Sequence, residues 1–168
     1  LGFILPLITI VGVFLGGWWS ASGLIWALGI GPIIDFFSPE GVPTRKDGFS
    51  TTPWNMLLFG HSIAAIAAIS VLLYRAQLDG LVATTIVAAI SVGLVSGVSG
   101  IINAHEQGHR RKGSLIWRMA RLNLLWVMYM HFTTEHNHGH HQHYATVLDP
   151  ASSPKARARG KWQSGTAH

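Results

Sequence analysis

The hydrophobic positions of this chain form long stretches that are separated by short polar segments. Residues 54–74 and 81–102 form two stretches of about 21 residues each, the length that crosses a bilayer core roughly 30 Å thick. Residues 1–19 and 23–37 form two more, divided only by the small polar break at 20–22. The pattern predicts an all-α fold, an integral membrane helical bundle with about four transmembrane helices. The alternative is a large buried helical core of a soluble protein.

The composition supports the membrane interpretation. Hydrophobic residues make up 49% of the chain and charged residues only 11%, whereas a soluble domain carries about 25% charged residues. An intrinsically disordered chain is excluded, because it needs low hydrophobicity and high net charge. The chain has no cysteine, which excludes disulfides, thiolate-bound zinc and iron–sulfur clusters within it.

The basic residues are distributed asymmetrically along the predicted bundle. Two spans lead to a loop with Arg45 and Lys46, and two more lead to Arg110, Arg111 and Lys112. Eleven of the twelve basic residues then fall on one side, which the positive-inside rule assigns to the cytoplasm. We therefore expect a multi-pass protein of the bacterial inner membrane. This asymmetry explains the net charge of +5 better than a nucleic-acid partner does.

Eight of the ten histidines lie between positions 105 and 143, in two groups. The first group contains His105 and His109, which are four residues apart and therefore share one face of a helix. Both imidazoles are then able to reach one metal ion. Taken alone, His105, Glu106 and His109 also match the His-Glu-x-x-His pattern of zinc proteases, in which the glutamate is the general base.

The second group contains His136 and His140 at the same four-residue spacing, with His141 beside them. Five imidazoles exceed the three or four protein ligands of a tetrahedral zinc, which favours two metals or a larger coordination shell. Nitrogen and carboxylate ligands without sulfur suit iron, zinc, copper or nickel, and redox chemistry indicates iron. Glu106 and Glu135 each lie next to a candidate ligand in the sequence. Three roles are open for them: further ligands, groups that orient an imidazole, or solvated charges. The alternative for the whole group is a run of solvated loop histidines.

These two groups resemble the first two histidine boxes of the membrane-bound alkane monooxygenases. Residues 103–110 (NAHEQGHR) are similar to the first box, and residues 131–141 (HFTTEHNHGHH) to the second. Residues 145–153 resemble the segment that follows the second box in that family. The resemblance extends from about residue 101 to residue 154 of this chain.

The resemblance implies a cytoplasmic di-iron centre that activates O2 and hydroxylates the terminal carbon of n-alkanes to give 1-alkanols. Electrons would come from NAD(P)H through rubredoxin reductase and rubredoxin. His131, His138 and His143 have no counterpart among the family's ligands. The implied iron ligands are His105, His109, His136, His140 and His141. From their positions beside these histidines, we predict that Glu106 and Glu135 orient the ligands.

The family continues with further spans, an Asn-Tyr-x-Glu-His-Tyr-Gly motif and a last histidine box, which this sequence does not contain. We therefore expect residues 1–154 to be the N-terminal part of such an oxygenase domain, inactive alone. Residues 155–168 are polar and basic and are predicted to be a disordered tail.

Three alternatives stay open at this point. One is an aromatic-methyl monooxygenase of the xylene type or an enzyme like the fatty-acid desaturases, since both families also bind their metal through histidine boxes. The second is an intramembrane zinc protease, which leaves the second histidine group unexplained. The third is a membrane fragment that binds metal without catalysis. The sequence also leaves open whether protomers associate into a homo-oligomer.

Overall fold

A computed structural model describes residues 2–38 and 52–143, which form helices connected by short turns, without a β-strand. The predicted all-α fold is confirmed for them. The predicted disordered tail, residues 155–168, lies outside the described residues. The helices are α1 (Ile4–Leu15), α2 (Gly17–Phe37), α3 (Thr52–Asp79), α4 (Ala83–Gly108), α5 (Leu115–Trp126) and α6 (residues 132–143).

Three of the described helices, α2, α3 and α4, are apolar and long enough to cross a membrane, with 21, 28 and 26 residues. Helix α1 has only 12 residues, or about 18 Å at 1.5 Å per residue, which is short of a bilayer core. The expected number of about four spans is therefore reduced to three membrane-length helices and one short apolar helix. The three apolar helices of membrane length indicate that the chain is a membrane protein.

The end of α1 explains that difference. Gly16 has a φ of 77°, a left-handed conformation that glycine adopts without steric cost, and it ends the helix after Leu15. A β-carbon at Gly16 would overlap the guanidinium of Arg75, which lies against the end of α1 and forms an ion pair with Asp79 at 2.8 Å. A cation at this position interacts favourably with the negative end of the α1 dipole.

The chain divides into two compact units after Met128. The first unit contains α1 to α5 and has a small apolar core. This core is built from residues of α1, α3 and α4: Val13, Ala68, Ala88, Val92 and Val95. The second unit contains α6.

Small residues allow α3 to approach its neighbours closely. Ala64, Ala65 and Ala68 are all buried, as expected for close helix packing in lipid. Gly60 lies under the ring of Phe3, where an added β-carbon would come within 2.6 Å of Cζ. Packing around α3 therefore depends on the absence of larger side chains.

The glycines of α4 follow the same expectation only in part. A β-carbon at Gly100 would lie 2.9 Å from Cγ1 of Val127, so that glycine does permit a close approach. Apart from the backbone of their own helix, Gly93 and Gly97 have no atom within 4 Å of the position of a β-carbon, so neither glycine is needed for a close approach between helices.

Candidate metal centre

His105 and His109 lie at the C-terminal end of α4, with their imidazoles on the same side. Their Nε2 atoms are 3.0 Å apart, and the ring centroids are 4.8 Å apart with the rings nearly perpendicular. Metal–imidazole bonds are about 2.0–2.1 Å long, so nitrogens about 3 Å apart subtend roughly 90° at a shared ion. The first pair therefore fits two adjacent ligands of one metal.

His136 and His141 form a similar pair within α6. Their Nε2 atoms are also 3.0 Å apart, and their rings are nearly perpendicular, with centroids 4.5 Å apart. These residues are five positions apart in the sequence. They come close because Glu135–His140 forms a π-helical turn, in which backbone hydrogen bonds connect residues i and i+5. A π-helical turn thus brings together two histidines that α-helical spacing would separate.

His140 occupies a different place from the one that its sequence spacing suggests. Its ring stacks on that of His136, with centroids 5.4 Å apart and an angle of 28° between the planes. Its centroid lies 5.6 Å from that of His141. All three predicted ligands of the second box are therefore neighbours in α6, and the rings of His136 and His141 are the closest of the three pairs. That any of them binds metal stays a prediction.

The two glutamates contact side chains outside the predicted ligand set. Glu106 Oε1 lies 3.7 Å from Nη2 of Arg110, and Glu135 Oε2 lies 4.0 Å from Nε2 of His131. Both contacts join residues four apart near the helix surface, where such pairs contribute little to stability. The predicted role of Glu106 and Glu135 in orienting the ligands stays a prediction.

Aromatic contacts hold the ring of His136. Phe132 stacks on it almost in parallel, with centroids 5.0 Å apart and an interplanar angle of 14°. The ring of Tyr129 packs against those of Phe132 and His131, with centroid distances of 5.6 and 4.4 Å. The side chain of His138 lies outside the described residues, and His143 is half-buried at the end of α6.

A buried polar cluster, which the sequence analysis did not identify, lies beneath the first pair. Its members are all buried: Ser62 on α3, Asn103 and Gln107 on α4, and Asn123 on α5. Asn103 and Gln107 each precede a histidine of the first box by two positions and repeat its four-residue spacing. That repetition, in an otherwise apolar span, was the signal in the sequence.

A second polar residue that the sequence analysis did not identify is His61, in the apolar helix α3. Its Nδ1 forms a 3.0 Å hydrogen bond with Oγ of Ser99, and its ring stacks on Phe3 with centroids 4.2 Å apart. Ser99 lies in a π-helical turn of α4, Ser96–Ile102, just before the first histidine box. Such turns are rare and often occur near functional sites.

Comparison with known proteins decides the family. The chain is 34% identical over 162 residues to alkane 1-monooxygenase 1 of Alcanivorax borkumensis, a match that covers 88% of this chain. It is 30% identical over 153 residues to alkane 1-monooxygenase 1 of Pseudomonas aeruginosa, covering 80% of this chain. The chain belongs to the alkane 1-monooxygenase family. The resemblance inferred from the histidine boxes is thereby confirmed.

The strongest identity is confined to part of the chain. The alkane 1-monooxygenase of Pseudomonas putida is 45% identical over 65 residues, which cover 39% of this chain. This chain matches only part of the length of each relative: 39% of the Alcanivorax protein, 37% of the Pseudomonas aeruginosa protein and 16% of the Pseudomonas putida protein. No family model matches the chain, and no solved structure does.

Proposed function

We propose that this chain is the N-terminal part of an alkane 1-monooxygenase, which hydroxylates the terminal carbon of n-alkanes with O2. The observation that carries the proposal is the pair of Nε2–Nε2 distances of 3.0 Å, one in each histidine box. The names of the relatives supply the reaction, and the apolar helices α2, α3 and α4 suit a substrate that dissolves in lipid. The fragment by itself is expected to be inactive.

The proposed metal is iron, with two ions in the complete site. The ligands proposed from this chain are His105, His109, His136, His140 and His141. Imidazole nitrogens without thiolates suit iron, and the pair geometry fits adjacent ligands of one ion. When bound, iron would supply the redox chemistry that activates O2.

The side chains around the ligands have supporting roles in this proposal. Phe132 fixes the plane of the His136 ring by stacking, which preserves the direction of its nitrogen lone pair. Glu106 and Glu135 orient neighbouring imidazoles once metal is present. The apolar surfaces of the spans exclude water from the alkane, since apolar ligands need a largely apolar enclosure.

The location and partners follow the same proposal. The protein resides in the bacterial inner membrane with both histidine boxes facing the cytoplasm, because Arg110, Arg111 and Lys112 directly follow His109. Electrons reach the centre from NAD(P)H through rubredoxin reductase and rubredoxin. This arrangement places the reduction on the side of the membrane where NAD(P)H is available.

Metal analysis of the detergent-purified chain tests the metal part of the proposal. We expect bound iron in the wild-type chain and a large loss of it in His105→Ala and His136→Ala, because each change removes an imidazole nitrogen. The matched control is His143→Ala, in the same helix as His136 but outside the predicted ligand set. Stoichiometric zinc without iron, held by His105 and His109 alone, would instead support the zinc-protease alternative.

Activity is tested on a chimera in which this chain is joined to the remaining C-terminal part of the Alcanivorax relative. With rubredoxin, its reductase and NADH, the chimera should convert octane to 1-octanol, and His105→Ala should abolish the product. A folded, iron-loaded chimera without alkane hydroxylation would contradict the proposed reaction. In that case p-xylene and a fatty acyl substrate distinguish the two alternative oxygen chemistries.

A further inference from the structure

Three amide side chains converge on one buried hydroxyl in the first unit. Asn103 Nδ2, Gln107 Nε2 and Asn123 Nδ2 lie within hydrogen-bond distance of Oγ of Ser62, at 3.0, 2.9 and 2.9 Å, and the two lone pairs of that oxygen accept two of these N–H groups at a time. Ser62 and Gln107 are completely buried, while Asn123 and Asn103 are 1% and 6% exposed. We call these four residues the amide cluster.

Additional hydrogen bonds tie the amide cluster to the backbone of α3. Asn103 Nδ2 and Gln107 Nε2 donate to the carbonyl oxygen of Leu58 at 3.0 and 3.2 Å, and Ser62 Oγ donates to the same oxygen at 3.0 Å. Asn123 Nδ2 also donates to Oε1 of Gln107 at 3.2 Å. Side chains of α4 and α5 are therefore attached to one turn of α3.

The amide cluster holds the same turn of α4 that carries the first histidine pair. Asn103 precedes His105 by two positions, and Gln107 precedes His109 by two. Two residues correspond to about 200° around an α-helix, so the amides lie on the face opposite the imidazoles. Fixing the amides against α3 therefore fixes the rotation of this turn and the direction in which the imidazoles project.

The hydrogen bonding of the amide cluster is not optimal for stability alone. Oδ1 of Asn103 and Oδ1 of Asn123 are buried and have no hydrogen-bond partner. A buried acceptor without a partner costs free energy, whereas an apolar side chain of similar size leaves no such atom. Directional bonds to Ser62, however, define one rotational setting of α4, which apolar packing specifies less strictly.

We propose that Ser62, Asn103, Gln107 and Asn123 are positioning residues that set the orientation of His105 and His109 and thereby the metal affinity of the centre. This inference rests on the proposed function, because it requires His105 and His109 to be metal ligands. It adds a support for them that attaches α4 to α3 and α5. The support acts through the backbone of α4, since none of the four side chains needs to touch the metal.

A cobalt(II) titration of the detergent-purified chain tests the inference, because the visible absorption of Co²⁺ reports both its affinity and its coordination geometry. Ser62→Ala removes the shared acceptor without adding bulk. We expect it to weaken Co²⁺ binding on the order of tenfold and to change the shape of the spectrum, as losses of supporting hydrogen bonds do at other metal sites. The matched control is Ser70→Ala on the same helix, because Ser70 Oγ donates to the carbonyl of Ile66 at 2.9 Å but is exposed.

Circular dichroism and thermal unfolding distinguish a positioning effect from a loss of fold. Gln107→Met, which replaces the amide by an apolar chain of similar length, provides a second variant if Ser62→Ala does not fold. A folded variant with wild-type Co²⁺ affinity and spectrum, in a chain whose binding depends on His105, would overturn this inference alone. If Co²⁺ binding to the wild-type chain is unaffected by His105→Ala, the proposed function fails at this pair and the inference fails with it.

Discussion

The Nε2 atom of His136 lies 3.0 Å from that of His141, five residues later, while His140 stacks beside them. In an α-helix the close partner would be four residues away, which is how the sequence pattern pairs His136 with His140. The π-helical turn Glu135–His140 changes this pairing. The predicted ligands of the second box are therefore ranked by how close the local backbone geometry brings their rings.

This ranking predicts unequal effects of two neighbouring substitutions. His141→Ala should lower bound iron more than His140→Ala does, because His141 has the nitrogen that lies next to His136. Each variant is purified in detergent, and iron is measured per chain after identical loading. Equal losses, or a larger loss for His140→Ala, would contradict the ranking.

The stacking of Phe132 on His136 predicts a separate effect on metal affinity. Phe132→Ala removes the ring that restrains the imidazole plane, and Co²⁺ affinity should fall about tenfold, the lower end of the range of about 10–100-fold for lost supporting contacts. Phe132→Tyr retains the stacked ring and serves as the control. If both variants bind Co²⁺ like the wild-type chain, the stacking does not position His136.

The end of α1 provides a stability prediction with a matched control. Gly16→Ala places a methyl group against the Arg75 guanidinium at a φ of 77°, whereas Gly17→Ala meets no atom within 4 Å at a φ of 57°. An alanine is strained at both positions, but Gly16 has a φ of 77° and a ψ of −171°, a combination essentially restricted to glycine, and only there does the methyl group also overlap Arg75. Thermal unfolding in detergent should therefore show a lower Tm for Gly16→Ala than for Gly17→Ala. A reversed order would mean that Arg75 does not pack against the end of α1.

The proposed topology predicts opposite labelling at the two ends of α4. The chain lacks cysteine, so Leu81→Cys and Ser114→Cys each introduce a single thiol, on either side of the 26-residue helix Ala83–Gly108. A membrane-impermeant maleimide added to intact cells should label position 81 and reach position 114 only after lysis. Labelling of both positions in intact cells would show that α4 does not cross the membrane.

The sequence predicted α3 and α4 well, because each is a continuous apolar run of membrane length. It divided the first two helices at the wrong place, since it took residues 20–22 for a break. In the structure these small polar residues lie within helical backbone and use their polar groups for packing. Ser22 Oγ donates to the carbonyl of Ile8 at 3.1 Å, and Ser91 Oγ donates to the carbonyl of Ser20 at 2.6 Å. The partners of these groups come from other helices, and a hydrophobicity pattern does not reveal them.

The candidate site was predictable to a similar degree. The four-residue spacing of His105 and His109 correctly predicted that the two rings lie side by side, because the backbone there is α-helical. The same reasoning did not identify His141 as the close neighbour of His136, since a π-helical turn depends on the fold and leaves no simple periodicity. The amide cluster was not predicted because its members come from three helices and meet only after folding.

The two histidine pairs are, in backbone terms, one motif with and without an insertion. A π-helical turn arises when a single residue is added to an α-helix without breaking it. Removing one residue between His136 and His141 would restore the spacing of His105 and His109. A sequence motif with fixed spacing therefore separates these two pairs, although both have their ring nitrogens 3.0 Å apart. For histidine boxes, an alignment that permits one inserted residue within a helix is the better guide to which imidazoles work as a pair.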